Sequence, residues 1–155
     1  MLSIAHIHPI AVHFPIVFFL CLAAFDILML VTGRSISGRA CAANLSAALA
    51  VLAGLAAVVT YMFGDMAMDI AISKGFSEAA LETHETLGTV TASCFAVWAI
   101  LRGFAWWRGL SLDGGRKVAV VIIEIAGAAL ITTTAYFGGE LVYQLGVNVS
   151  HAVGG

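Results

Sequence analysis

Apolar residues fill four long stretches of the chain, at about residues 10–31, 42–63, 83–101 and 118–137, and polar residues gather between them. Each stretch is close to the ~20 residues of helix that cross a bilayer. The pattern predicts an all-α integral membrane protein, a four-helix antiparallel bundle forming a single domain over residues 1–155. The first two runs are separated by Thr32, Gly33, Arg34, Ser35, Ser37, Gly38 and Arg39, a set rich in turn formers. Between the second and third runs lies the longest polar connection. Its Asp65, Met66, Met68, Asp69, Ile70 and Ile72 fit a short amphipathic helix lying at the interface. The tail from Glu140 onwards is too short to cross again.

Within the runs, finer features set expectations for packing. Pro9 suits a first helical turn, whereas Pro15 would free the Ala11 carbonyl if the helix were already running, which predicts a kink or a late start. Ala50 and Gly54, four apart in an alanine-rich second run, allow another helix to approach closely. That small-residue face suggests packing against a second copy or a membrane redox partner.

Composition agrees with the pattern. Hydrophobic residues make up 61% and charged residues 10%, against about 25% charged in soluble domains, and the mean hydropathy is +1.03. The lipid bilayer is therefore the main partner, and seven scattered basic residues exclude a nucleic-acid surface. No basic residue precedes the first apolar run, unlike a cleaved leader. Four spans return both termini to one side. Arg34, Arg39, Arg102, Arg108, Arg116 and Lys117 fall at the opposite end, against Lys74 alone near the termini. The positive-inside rule then predicts a multi-pass protein of the bacterial cytoplasmic (inner) membrane with periplasmic termini. Cys21, Cys41 and Cys94 lack any metal-binding spacing and read as small apolar packing residues.

The same bookkeeping brings all five histidines, His6, His8, His13, His84 and His151, to the end where the termini lie, with Asp65, Asp69, Glu78, Glu82, Glu85 and Glu140. In a sequential ring the first and third helices are diagonal, and His13 and His84 lie at similar counted depth. Two imidazoles so placed suit the axial positions of a haem b iron, with His8 as alternate ligand or partner of a propionate. Gly88, four residues after His84, and Gly64, Gly138 and Gly139 remove bulk where a flat macrocycle would need volume. No CxxCH is present for covalent attachment. Two alternatives stand beside this electron-transfer reading. One is a zinc or copper site built from His6, His8, the carboxylates and Met66 or Met68. The other is a protein with no cofactor, a non-redox subunit or ion transporter in which the intramembrane Asp26 and Glu124 matter more, paired with each other or with Arg34 or Arg116.

The opening His8-Pro9-Ile10-Ala11-Val12-His13-Phe14-Pro15-Ile16, the segment His84-Glu85-Thr86-Leu87-Gly88, and the ending Tyr136-Phe137-Gly138-Gly139-Glu140-Leu141-Val142-Tyr143 resemble the four-helix membrane family labelled domain of unknown function 2231. The resemblance covers practically the whole chain. It implies four membrane helices and cytochrome-containing contexts, with the family pattern falling on His8, His13, His84, Gly138, Gly139 and Tyr143.

Overall fold

A computed structural model describes the backbone of residues 4–147 and of Val149, with side chains from Ile7 on. His151 and the side chain of His6 lie outside the described residues. The elements are α1 (Ile4–Ala11), α2 (His13–Val31), α3 (Cys41–Ser73), α4 (Glu78–Trp107) and α5 (Gly115–Tyr143). Residues 7–31, 41–73, 78–107 and 115–143 give four spans long and apolar enough to cross a membrane. No strand occurs among the described residues.

The kink expected near Pro15 is present and explains the split between α1 and α2. Pro15 has no N–H to offer Ala11, and the next bond, Ile16 N–H to Val12 O, is long at 3.5 Å. The freed Ala11 carbonyl accepts instead from the Thr60 hydroxyl at 3.1 Å. The kink is thus tied to a polar contact from the second span.

All helices extend further at the histidine end than hydropathy suggested. The 33 residues of α3 make a rod of about 50 Å at ~1.5 Å per residue, well over the ~30 Å hydrocarbon thickness. The separate interfacial helix expected over 65–72 is the final turns of α3, because nothing between Gly64 and Ser73 breaks its hydrogen-bond ladder. After α5, Gly146 turns the chain with φ +68°. Val147 then packs back onto Ala71 and Leu81, with Met68, Phe76 and Leu141 around them.

The helices form a ring in chain order, closed by α5 against α2, which leaves α2 and α4 diagonal. The core lies where they meet: Phe19 and Phe95 stack with centroids 3.8 Å apart, among Leu22, Ala50, Ala53, Ala57 and Ile131. Small residues make this close approach possible. A Cβ on Gly54 would collide with the Cβ of Ala99 and sit 2.7 Å from the Phe95 carbonyl oxygen, and one on Gly127 would sit 2.5 Å from Phe19 Cζ. The small face of α3 is therefore spent inside the bundle and gives no argument for a second copy. The three cysteines are exposed on the outside of the bundle, not packed within it as expected, since small alanines and glycines already fill the contact faces.

The chain also repeats itself. His8, Phe19, Ala23 and Asp26 on the first span correspond to His84, Phe95, Ala99 and Arg102 on the third, in one register of 76 residues. Thr60-Tyr61-Met62-Phe63-Gly64 on α3 matches Thr134-Ala135-Tyr136-Phe137-Gly138 on α5 as T-x-x-F-G. The corresponding spans run in the same direction, so the halves are parallel repeats about an axis along the bundle.

Candidate functional site

Three pairs of corresponding side chains meet across this axis: His8 with His84 near the end where the described chain begins, Phe19 with Phe95 at the middle, and Asp26 with Arg102 towards the other end. The histidine pair has ring centroids 6.3 Å apart and planes at 75°. His8 Nδ1 lies 3.1 Å from the Thr60 carbonyl oxygen and His84 Nδ1 lies 3.1 Å from the Thr134 carbonyl oxygen. A carbonyl only accepts, so each Nδ1 carries the hydrogen and each Nε2 keeps its lone pair.

The T-x-x-F-G repeat builds this arrangement twice. Its threonine supplies the carbonyl, and its glycine, one turn on, leaves the space that the imidazole fills. A Cβ on Gly64 would sit 2.9 Å from His8 Cε1, and one on Gly138 would sit 2.8 Å from His84 Cε1. These glycines therefore make room for the imidazoles themselves. The hydroxyls diverge between the halves. Thr60 caps Ala11, whereas Thr134 Oγ1 lies 2.8 Å from Thr91 Oγ1 and donates to its own Leu130 carbonyl.

Around the pair is a cavity of about 470 Å³ lined from all four spans, within the ~300–1,000 Å³ of ligand pockets. His8, His13, His84, Gly88, Gly138, Gly139 and Tyr143 all line it, so the residues on which the family pattern falls and Gly88 converge here, whereas Met66, Asp26 and Glu124 do not line it. Their roles differ. His84 faces His8 across the bundle, whereas His13, one turn and a half further along, lies exposed at the rim. The difference follows from α1 beginning at Ile4, which puts His8 level with His84. Gly88 has open space where a Cβ would project, a Cβ on Gly139 would meet only Tyr143 Cδ2 at 4.0 Å, and Tyr143 is 89% exposed. Thr60, whose carbonyl positions His8, is absent from the candidates above, and Gly64 appears there only as space for a macrocycle; the T-x-x-F-G repeat is the signal in the sequence that marks both.

The lower polar cluster also differs from expectation. Asp26 and Glu124 meet Arg102, not Arg34 or Arg116: Arg102 Nη2 is 3.0 Å from Asp26 Oδ2 and Nη1 is 2.8 Å from Glu124 Oε1. The reason is that α4 continues to Trp107, which carries Arg102 inside the bundle. Arg102 therefore leaves the tally of basic residues at that end, where Arg34, Arg39, Arg108, Arg116 and Lys117 remain.

Among the described residues no group of three or more His, Cys, Asp or Glu side chains is placed to hold a metal ion. The family described as "Predicted membrane protein (DUF2231)" matches residues 5–151. No curated protein and no solved structure matches the chain.

Proposed function

The chain belongs to the DUF2231 family of membrane proteins, so its chemistry is carried out by a bundle embedded in lipid, and we propose that it is a haem b protein for electron transfer, in which His8 and His84 would hold the iron. The observation that carries this reading is the spacing of the pair. Two imidazoles that each put a nitrogen ~2 Å from one ion lying directly between them have ring centres roughly 6 Å apart, and the centroids here are 6.3 Å apart. Such a group would supply one-electron chemistry.

The protein's own part is to hold and orient. Thr60 and Thr134 fix both imidazoles by their Nδ1–H, the usual outer contact of a metal-ligating histidine. Gly88, Ala92, Ala135 and Gly139 leave the cavity wall low in bulk. His13, Tyr61 and Tyr143 at the rim are the groups available to the propionates, since the cavity has no Lys or Arg among its described lining residues. Zinc or copper is less well served, because two imidazoles fall short of the three or four ligands such ions take.

The remaining basic residues support a periplasmic position for the site in a bacterial inner membrane. A carrier of this kind exchanges electrons with a redox partner at that face. The test is the visible spectrum of the detergent-purified full chain after expression with ample haem, oxidised and dithionite-reduced. The expected result is a reduced α-band lost in both His8→Ala and His84→Ala and retained in His13→Ala. A colourless wild type would reject the reading, and loss in His13→Ala with retention in His8→Ala would move the ligand to the rim.

A further inference from the structure

The polar cluster in the other half of the bundle holds more negative than positive charge. Asp26, Glu124 and Ser46 are fully buried and Arg102 is 3% exposed. One guanidinium, which stays protonated in proteins, faces two carboxyl groups. The groups that complete the surroundings are neutral: Ser46 on α3 donates to Asp26 Oδ2 at 2.8 Å and Trp98 on α4 donates to Glu124 Oε1 at 3.3 Å. Lys117 points away, with Nζ bonded to the Arg34 carbonyl at 2.8 Å.

Hydrogen bonding shows where the charge balance fails. Asp26 Oδ1, Glu124 Oε2 and Arg102 Nε are buried with no partner among the described residues, while each carboxyl's other oxygen accepts from two donors, so both carboxyl groups keep one oxygen without a donor. An unbalanced negative charge between lipid-facing helices is the outcome that burial disfavours most, and a carboxyl group escapes it by taking up a proton.

We infer that Asp26, Arg102 and Glu124 form a proton-binding site within the membrane, in which Glu124 holds one proton at neutral pH. The assignment within the pair follows from the donors. Asp26 Oδ2 has two short ones, Ser46 at 2.8 Å and Arg102 at 3.0 Å, and Arg102 also bonds Ser46 itself. Glu124 has one short donor, Arg102, and one long, Trp98. The two carboxyl groups thus have the same number of donors, but both of those to Asp26 are short, and stronger hydrogen bonds to the ionised form keep a carboxylate ionised. Asp26 is thus the carboxylate of the ion pair and Glu124 the acid. The site lies 18 residues down the same helices from the histidines, about 27 Å at ~1.5 Å per residue, so it stands independently of any cofactor there.

The test is infrared difference spectroscopy of the full chain in lipid nanodiscs at neutral pH, in H₂O and D₂O. The exposed carboxyl groups are ionised under these conditions. The expected result is one protonated-acid C=O band that moves in D₂O, moves again with ¹³C-labelled glutamate, and disappears in both Glu124→Gln and Asp26→Asn. In each variant the remaining carboxylate balances Arg102 one to one. The labelled wild type keeps the proposal falsifiable should a variant fold poorly. Absence of the band in the wild type, its persistence in both variants, or its movement with labelled aspartate instead would overturn the inference. So would replacement of the band by a sodium-dependent unfolding temperature, which would mean that a metal cation supplies the missing charge.

Discussion

Substituting Gly138 by alanine tests how the histidine site is built, because the three atoms nearest the added methyl group all belong to the His84 imidazole. Its Cβ would lie 2.8 Å from His84 Cε1 and 3.2 Å from Nδ1. Carbon atoms pack best at about 3.5–4.0 Å, so His84 must retreat by roughly an ångström, more than its 3.1 Å bond to the Thr134 carbonyl tolerates. Overpacking costs about 1–3 kcal/mol, and the lost hydrogen bond adds about 1 kcal/mol. Replacing a helical glycine returns up to ~1 kcal/mol. Gly138→Ala is therefore expected to lose about 1–3 kcal/mol net, and Gly64→Ala, 2.9 Å from His8 Cε1, a similar amount. Gly88→Ala is the internal control: nothing lies within 4 Å of its Cβ, so the expected change is a gain of up to ~1 kcal/mol. Reversible denaturant unfolding of the haem-free chain in detergent compares the three. If Gly138→Ala unfolds at the same denaturant concentration as Gly88→Ala, the glycine does not seat the imidazole and the account of the T-x-x-F-G repeat fails. Haem titration adds a second readout, since the Gly88 methyl enters the cavity and should weaken haem uptake while leaving the stability of the haem-free chain intact.

Other expectations rest on single contacts. Thr60→Val strips the Ala11 carbonyl of its donor and should cost about 1–3 kcal/mol; adding Pro15→Ala restores the i+4 N–H, so a double-mutant cycle by the same unfolding assay should show rescue, and additive losses would contradict it. Arg102→Met leaves two buried carboxyl groups without a cation and should destabilise by about 3–5 kcal/mol or prevent folding, whereas a fully stable variant would show that the ion pairs are dispensable. At the opposite end, the Ser35 hydroxyl bonded to Asp113 at 3.0 Å holds that carboxyl below its ordinary value. A depressed carboxyl stabilises the fold above its unfolded pKa, ~3.9, and the contribution is lost as pH falls through the lower folded value. Ser35→Ala should raise the Asp113 midpoint in an NMR titration; an unmoved midpoint would refute the contact.

The fold was legible because hydropathy acts over whole spans, and burying four apolar rods leaves little choice beyond a bundle. The diagonal relation of the first and third spans followed from topology alone. What failed was the level at which residues meet. Counting depth from the edges of apolar runs misplaces a helix that outruns the membrane, so His13 was aligned with His84 where α1 in fact brings His8. Arg102 escaped for a related reason: counted with Arg34, Arg39, Arg108, Arg116 and Lys117 it read as one of the basic residues outside the spans, and only the continuation of α4 reveals it as the counter-charge of Asp26 and Glu124. Thr132, Thr133 and Thr134 behave as ordinary span threonines, their hydroxyls bonded one turn back. The carbonyl of Thr134, which anchors His84, leaves no mark in composition or helical periodicity, and the T-x-x-F-G repeat alone marks it.

The register that pairs His8 with His84 and Phe19 with Phe95 also pairs Asp26 with Arg102. Two identical half-length chains related by a true dyad could make the first two contacts, since each joins like with like. They could never make the third, because a residue on the axis meets its own copy, and two aspartates or two arginines at 3.0 Å would repel without any water to screen them. Linking the halves in one polypeptide is what frees corresponding positions to take opposite charges. The same freedom lets Pro15 stand where the other half has Thr91. The covalent connection thus enlarges the set of chemistries available on the axis, from those of a symmetric dimer to those of two distinguishable partners.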